Sequence, residues 1–310
     1  MPDVKVTEIP AVSDMGVAIE GSAHWWPNEM GEAVLPEFDP YHQQLYYIEI
    51  FNRGTTPFEY SVRVGEPWIK VNSMKGKIST EERLWVNIDW KKAPKGKHRA
   101  PITVDGPNDL RIVIYAAINN PVSPKRGEEI RFVESNGYVS IEAENYARVV
   151  NTHPITWQKI PDLGRTQSAM TPFPVTAATQ TPQGDSPRME YRVHLFVKGE
   201  VTVKAYLSPT LNFHNNQGLR YGISFDNEPP QIINMHSGKT FQDWEESVRN
   251  NVTVEVSKHT IAEPGKHVLK FWVVDPGVVL QKLVIETGKV RPSYLGPPES
   301  HNGSVKTKKK

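Results

Sequence analysis

The chain is 310 residues long, carries 36 basic and 35 acidic side chains for a formal charge of +1, and contains no cysteine. That length accommodates two ordinary cores. The near-zero charge excludes a global field for nucleic acid or an acidic membrane, and the missing thiols exclude disulfides, thiolate nucleophiles and cysteine-ligated zinc.

A mean hydropathy of -0.50 and no long apolar run argue against a membrane-spanning segment. The opening MPDVKVTE has no apolar stretch behind a basic region, so no secretory signal is read there.

From the N-terminus, alternation at period two predicts strands over residues 45–52, 58–64, 84–90, 102–105 and 111–118. Asn52-Arg53-Gly54 and Asp105-Gly106-Pro107 supply turn chemistry between them. Strands of that length and spacing predict an N-terminal linker and Ig-like β-sandwich over residues 1–122. Pro94, Pro101 and Pro107 fall where an edge strand or loop tolerates a missing N–H donor. Residues 119–129 are polar, contain two prolines and lose the alternation, which places the domain boundary there.

The second domain is expected over residues 130–300, with strands at 138–144, 189–197, 201–207, 219–225, 231–235, 252–257, 267–274 and 279–286. The best helical pattern is FQDWEESVR at 241–249, which sets Phe241, Trp244 and Val248 on one side. About eight strands joined by Pro- and Asn-rich loops predict a jelly-roll β-sandwich. The fold class is therefore all-β, two β-sandwich or jelly-roll domains in tandem, with residues 301–310 a disordered, lysine-ended tail.

Catalytic motifs are missing: there is no H-E-x-x-H, no G-x-S-x-G and no phosphate-cradling glycine loop. Glu142 and Glu144, two apart on a predicted strand, would share one face with Cα atoms roughly 6–7 Å apart. That leaves no room for a sugar ring between paired catalytic carboxylates. Calcium is the candidate metal for this pair, and a solvated strand face is the alternative.

Sugar rings stack on exposed aromatic faces while amides and charged groups read their hydroxyls. The loop at 212–217, with Asn212, Phe213 and Asn215, has that chemistry, and Trp157 and Trp244 are further carbohydrate-binding candidates whose alternative is a place in the core. Trp85 and Trp90 differ in parity along their strand, so the pattern points at least one of them outward.

Several stretches carry a family resemblance. SIEAE at 140–144, IPDLGRT at 160–166, YLSPTLN at 206–212, GLRYG at 218–222 through DNEPP at 226–230, DPGVVL at 275–280 and SYLGPPES at 293–300 resemble the C-terminal domain of glycoside hydrolase family 115, the xylan α-glucuronidases. MGVAIEGS at 15–22, FNRG at 51–54 and PWI at 67–69 resemble the segment preceding that domain.

Family members carry a catalytic (β/α)8 barrel nearer the N-terminus, and this chain has none of the βαβ alternation a barrel requires. The resemblance thus implies a non-catalytic accessory portion of an α-glucuronidase-like enzyme, not an enzyme by itself. It would support the parent's catalytic domain, glucuronoxylan or related-glycan binding, or homodimerisation, with no nucleic-acid or membrane partner and in a secreted setting.

A stand-alone carbohydrate-binding protein and a ligand-free scaffold are the alternatives. The E-x-E strand also resembles family 6 and family 35 carbohydrate-binding modules, where such carboxylates hold a structural calcium completed by an Asp on the last strand. LQKLVI at 280–285 offers Gln281 instead, which weakens the expected site.

Overall fold

In residues 58–64 every second side chain, Phe58, Tyr60 and Val62, is buried and the ones between are exposed. That alternation is what a sheet with one face on a core imposes. The computed structural model describes residues 8–124, 132–214 and 216–300. The chain divides into two compact units, Met1–Arg126 and Gly127–Lys310.

The first unit is built from β1 (Met15–Ile19), β2 (Trp25–Trp26), β3 (Ala33–Val34), β4 (Tyr46–Asn52), β5 (Phe58–Val64), β6 (Ile69–Val71), β7 (Lys75–Ile78), β8 (Glu81–Ile88), β9 (Gly96–Asp105) and β10 (Arg111–Asn120). They form two five-stranded sheets in the orders β2-β1-β4-β8-β6 and β3-β10-β9-β5-β7. One core fills the space between, with Ile48, Ile50, Leu84 and Val86 from one sheet and Ile102, Val104 and Ile114 from the other.

Asn119 and Asn120, read from sequence as linker, are the end of β10. The Asn120 amide is buried and donates to the Ala93 and Pro94 carbonyls at 3.1 and 3.0 Å, so its polarity is satisfied inside the unit. Pro101 lies within β9 opposite Tyr115, just past the last β5 pair at Val64–Ile102. No β5 residue pairs with it, so a missing N–H is tolerated there.

The second unit contains β11 (Phe132–Val133), β12 (Tyr138–Glu142), β13 (Arg148–Val150), β14 (Thr156–Ile160), β15 (Ala169–Phe173), β16 (Arg188–Leu195), β17 (Gly199–Leu207), β18 (Arg220–Phe225), β19 (Gln231–Asn234), α1 (Phe241–Asn250), β20 (Thr253–Ile261), β21 (Gly265–Val273) and β22 (Leu280–Glu286).

Its sheets run β11-β16-β21-β18-β19, with β13 also on β16, and β14-β15-β22-β17-β20, with β12 also on β22. Tyr221 and Phe271 stack in the core with ring centroids 4.9 Å apart. β22 has neighbours on both sides and is buried almost throughout, which takes Gln281 and Lys282 out of water.

Helix α1 begins with a capping box. The Thr240 hydroxyl accepts from the Asp243 N–H, and the Asp243 carboxylate accepts from the Thr240 N–H at 2.7 Å. It ends at Asn251 in the left-handed region, φ 53°. Its expected apolar side does not face the core: Phe241 and Val248 are exposed, and the buried residue is Ser247.

Candidate functional site

That exposed helix face borders a cleft of about 280 Å³, closed on the other side by residues 209–212 and the start of β20. Leu211, Phe241 and Trp244 form apolar walls over buried Met235, and Phe241 is 75 % exposed. Asn212 and Lys239 add polar groups to the rim. The Asn212 Nδ2 donates to the Asn216 carbonyl at 2.7 Å, while its Oδ1 is buried with no hydrogen-bond partner.

Two side chains shape the loop. His236 accepts the Leu219 N–H on Nδ1 at 3.1 Å, which leaves Nε2 protonated to donate to the Thr210 carbonyl at 2.8 Å. Asp275 accepts from the Arg220 backbone N–H, Nε and Nη2, from the Thr179 hydroxyl and from the Asn216 amide. The loop is therefore tied to β18 and to the chain preceding β22.

A second cleft of about 490 Å³ shares Lys239, Asp243, Ser247 and Thr253 with the first and is edged by Arg165 and Tyr294. The Arg165 guanidinium lies 3.9 Å over the Tyr294 ring, and its Nη2 is buried without a hydrogen-bond partner.

Of the sugar-contact candidates, Asn212 and Trp244 meet in the first cleft. Phe213 does not line it; its ring packs across Gly277, where a Cβ would come within 2.6 Å, and stays 46 % exposed. Asn215 lies outside the described residues. Trp157 packs edge-on against Phe271 at 6.0 Å as part of the core periphery, which places it inward rather than on a sugar platform.

Phe241 was visible in the helical pattern but not as a cleft wall. Nothing in the sequence brings Arg165 to Tyr294, 129 positions further on.

Glu142 and Glu144 part company. β12 ends at Glu142, Glu144 falls in the following turn, and each carboxylate has its own lysine: Glu144 pairs with Lys159, and Glu142 with Lys282 at 3.0 Å. The Lys282 ammonium also lies 3.4 and 3.3 Å from the Leu295 and Pro297 carbonyls, and the Thr166 hydroxyl donates to Glu142 at 2.7 Å.

Gln281 turns to other partners, accepting the Arg165 N–H and donating to Ser208 and the Asn251 carbonyl. This donor set fits the ammonium already in it and does not fit calcium. Among the described residues no group of three or more His, Cys, Asp or Glu side chains is arranged to hold a metal.

Ser257 and His259 form a buried pair on β20, Oγ to Nε2 2.8 Å, that superficially matches a nucleophile and its base. The Gln231 Nε2 donates to the Lys258 carbonyl and to His259 Nδ1. The proton therefore sits on Nε2 and points at the serine, the wrong tautomer for taking its proton.

Burial pushes the His259 imidazole down to about 4. Between about pH 6.5 and that value the unfolded chain binds the extra proton and the folded one does not, so stability is full above about pH 6.5 and falls as the pH drops to about 4. Urea midpoints across this window should decline in the wild type and decline less in His259→Gln.

Residues 131–299 match the pattern of the glycosyl hydrolase family 115 C-terminal domain; the resembling stretches between residues 15 and 69 lie outside that match. No curated protein matches the chain.

Similar solved structures include a family GH115 4-O-methyl-alpha-glucuronidase with specificity for decorated arabinogalactans, at 16 % identity and TM-score 0.39 over 55 % of this chain and 19 % of that one. They also include the C-terminal family 6 carbohydrate-binding module of a marine laminarinase from Zobellia galactanivorans, at 13 % identity and TM-score 0.33, covering 48 % of this chain and 98 % of that one. A family 35 carbohydrate-binding module from Clostridium thermocellum is similar at 10 % identity and TM-score 0.33, covering 49 % and 98 %. The chain thus spans about a fifth of the glucuronidase it matches.

Proposed function

The chain belongs to the family of the glycosyl hydrolase family 115 C-terminal domain, and from that premise we propose that it is a non-catalytic, glycan-binding accessory portion of an α-glucuronidase-like hydrolase. Its partners are the catalytic domain of that enzyme and a glucuronoxylan-type glycan. The observation that carries the reading is the α1 cleft.

α1 leaves Phe241 exposed beside a half-buried Trp244 on the cleft, and aromatic faces next to amide and lysine groups are the chemistry that holds sugars. Affinity is modest, because ordering a flexible saccharide offsets much of the contact energy.

Titrating xylo-oligosaccharides that bear glucuronic acid into the protein should shift NMR signals around α1. Trp244→Ala should weaken binding about fivefold or more, equivalent to roughly 1 kcal/mol. Incubation with the same sugars should release no glucuronic acid above a heat-treated control. Release above that control, or binding that ignores Trp244, would overturn the reading.

A further inference from the structure

The two outer faces of the first unit differ in how many rings they carry. On the sheet β3-β10-β9-β5-β7, Asp105 draws in both Arg63 and Arg111, and one outward ring, Tyr115, lies under the Arg99 guanidinium. On β2-β1-β4-β8-β6 the outward positions carry Trp25, Tyr47, Phe51 and Trp85.

These rings form two like pairs. Trp25 meets Phe51 edge-on at 5.8 Å with the Arg53 guanidinium 4.3 Å over its ring, and Trp85 meets Tyr47 edge-on at 5.9 Å with Arg83 4.8 Å over the tyrosine. Tyr47 and Phe51 are four residues apart on β4, about 13 Å along the strand. β1 contributes only Gly16 and Ala18 to this face, and the Phe51 ring lies where a Cβ on Gly16 would be, within 2.4 Å. β1 therefore adds no bulk between the rings.

We propose that this face is a second, independent binding surface, and that its ligand is an uncharged oligosaccharide. Charge decides the ligand class. Each arginine is already matched by a carboxylate, Arg83 with Glu49 at 2.8 Å and Arg53 with Asp14 at 3.4 Å. An anionic chain would find no unmatched cation at either pair, whereas sugar hydroxyls both donate to carboxylates and accept from guanidinium groups.

Trp85, the most exposed of the four rings, is 39 % exposed, and at about 250 Å² or less per ring the four together offer under about 400 Å² of aromatic surface. Rings edged by matched ion pairs over about 13 Å suit a short run of sugar rings.

The surface belongs to a different unit from the α1 cleft, so either site can fail alone. The test uses the intact chain, titrated with xylohexaose and separately with cellohexaose to about 10 mM, which suffices to see millimolar dissociation constants. The eight tryptophan indole N–H signals are followed by NMR.

The expected result is a saturable shift of the Trp85 and Trp25 signals with at least one of the two sugars. Trp85→Thr, which keeps a strand-forming residue, should weaken it about fivefold or more, Trp85→Phe should restore most of it, and Trp244→Ala should leave it unchanged. Shifts confined to Trp244, equal affinity in Trp85→Thr, or no saturable shift with either sugar would overturn the proposal. Equal binding of a glucuronic acid-bearing oligosaccharide at Trp85 would keep the surface and overturn its preference for uncharged ligands.

Discussion

Replacing Asp275 with alanine should lower the melting temperature of the second unit by on the order of 5–10 °C, the effect of losing about 2–3 kcal/mol when a buried acceptor of charge-assisted hydrogen bonds from the partly exposed Arg220 is removed. The Asp275 side chain is only 1 % exposed, yet its carboxylate accepts five hydrogen bonds, three of them from Arg220. Alanine leaves the Arg220 guanidinium, the Thr179 hydroxyl and the Asn216 amide without that acceptor. It also frees the loop that walls the α1 cleft. Hydrogen exchange should therefore rise in residues 209–214 and 216–219 before the rest of the sandwich, and binding at the cleft should weaken even below the melting temperature.

Asp275→Asn separates shape from charge. It keeps the volume, replaces one acceptor oxygen with a donor, and should fall between wild type and alanine. Burial alone would raise the Asp275 pKa, but the hydrogen bonds from Arg220 and Thr179 and the arginine charge outweigh it and hold the carboxyl below its usual range. A depressed carboxylate contributes stability that is complete above the unfolded value near about 4 and is lost as pH falls through the folded value. The acid limb of the stability profile should therefore flatten in Asp275→Asn. An unchanged acid limb together with a melting loss of under about 2 °C would show the cluster to be ornamental.

Sequence patterning found what alternates and missed what does not. β5 shows its period-two pattern from Phe58 to Val64 and was placed end to end. β1 reads Met-Gly-Val-Ala-Ile, with buried residues at successive positions, so no alternation marks it. β15 contains Pro172, which argues against a strand, yet it sits opposite Trp157 in the pairing with β14. The helix was legible because its apolar spacing is local.

Its orientation was not legible. A stripe of Phe241, Trp244 and Val248 normally faces a core, and only the packed structure shows Phe241 and Trp244 walling a cleft that buried Ser247 also lines. Trp85 illustrates the middle case: parity suggested an outward tryptophan at either 85 or 90, and Trp85 proves to be the exposed one while Trp90 packs against the core.

The pair that sequence could least supply is Glu142 with Lys282, 140 positions apart and brought opposite each other by the register of β12 on β22. The side chains are 3 % and 4 % exposed, so neither charge is left to water. Lys282→Met should cost about 3–5 kcal/mol, because it strands a carboxylate that keeps only the Thr166 hydroxyl as a side-chain donor.

The double replacement Glu142→Leu with Lys282→Met should recover most of that loss, since two charges and their desolvation disappear together. The ammonium also lies near the Leu295 and Pro297 carbonyls, beside a segment that Ser140 holds through hydrogen bonds to Pro297 and Ser300. Proteolytic cutting near residues 293–300 should accordingly accelerate in Lys282→Met and stay elevated in the double variant, which restores neither ammonium contact.

The same geometry sets the expectation for calcium. A site with a micromolar dissociation constant would add about 4 kcal/mol of stability at about 1 mM calcium. With Lys282 in place the wild-type melting temperature should not move on adding calcium or a chelator. A calcium-dependent rise in the wild type that Lys282→Met abolishes would mean that the lysine assists a metal rather than standing where one would bind.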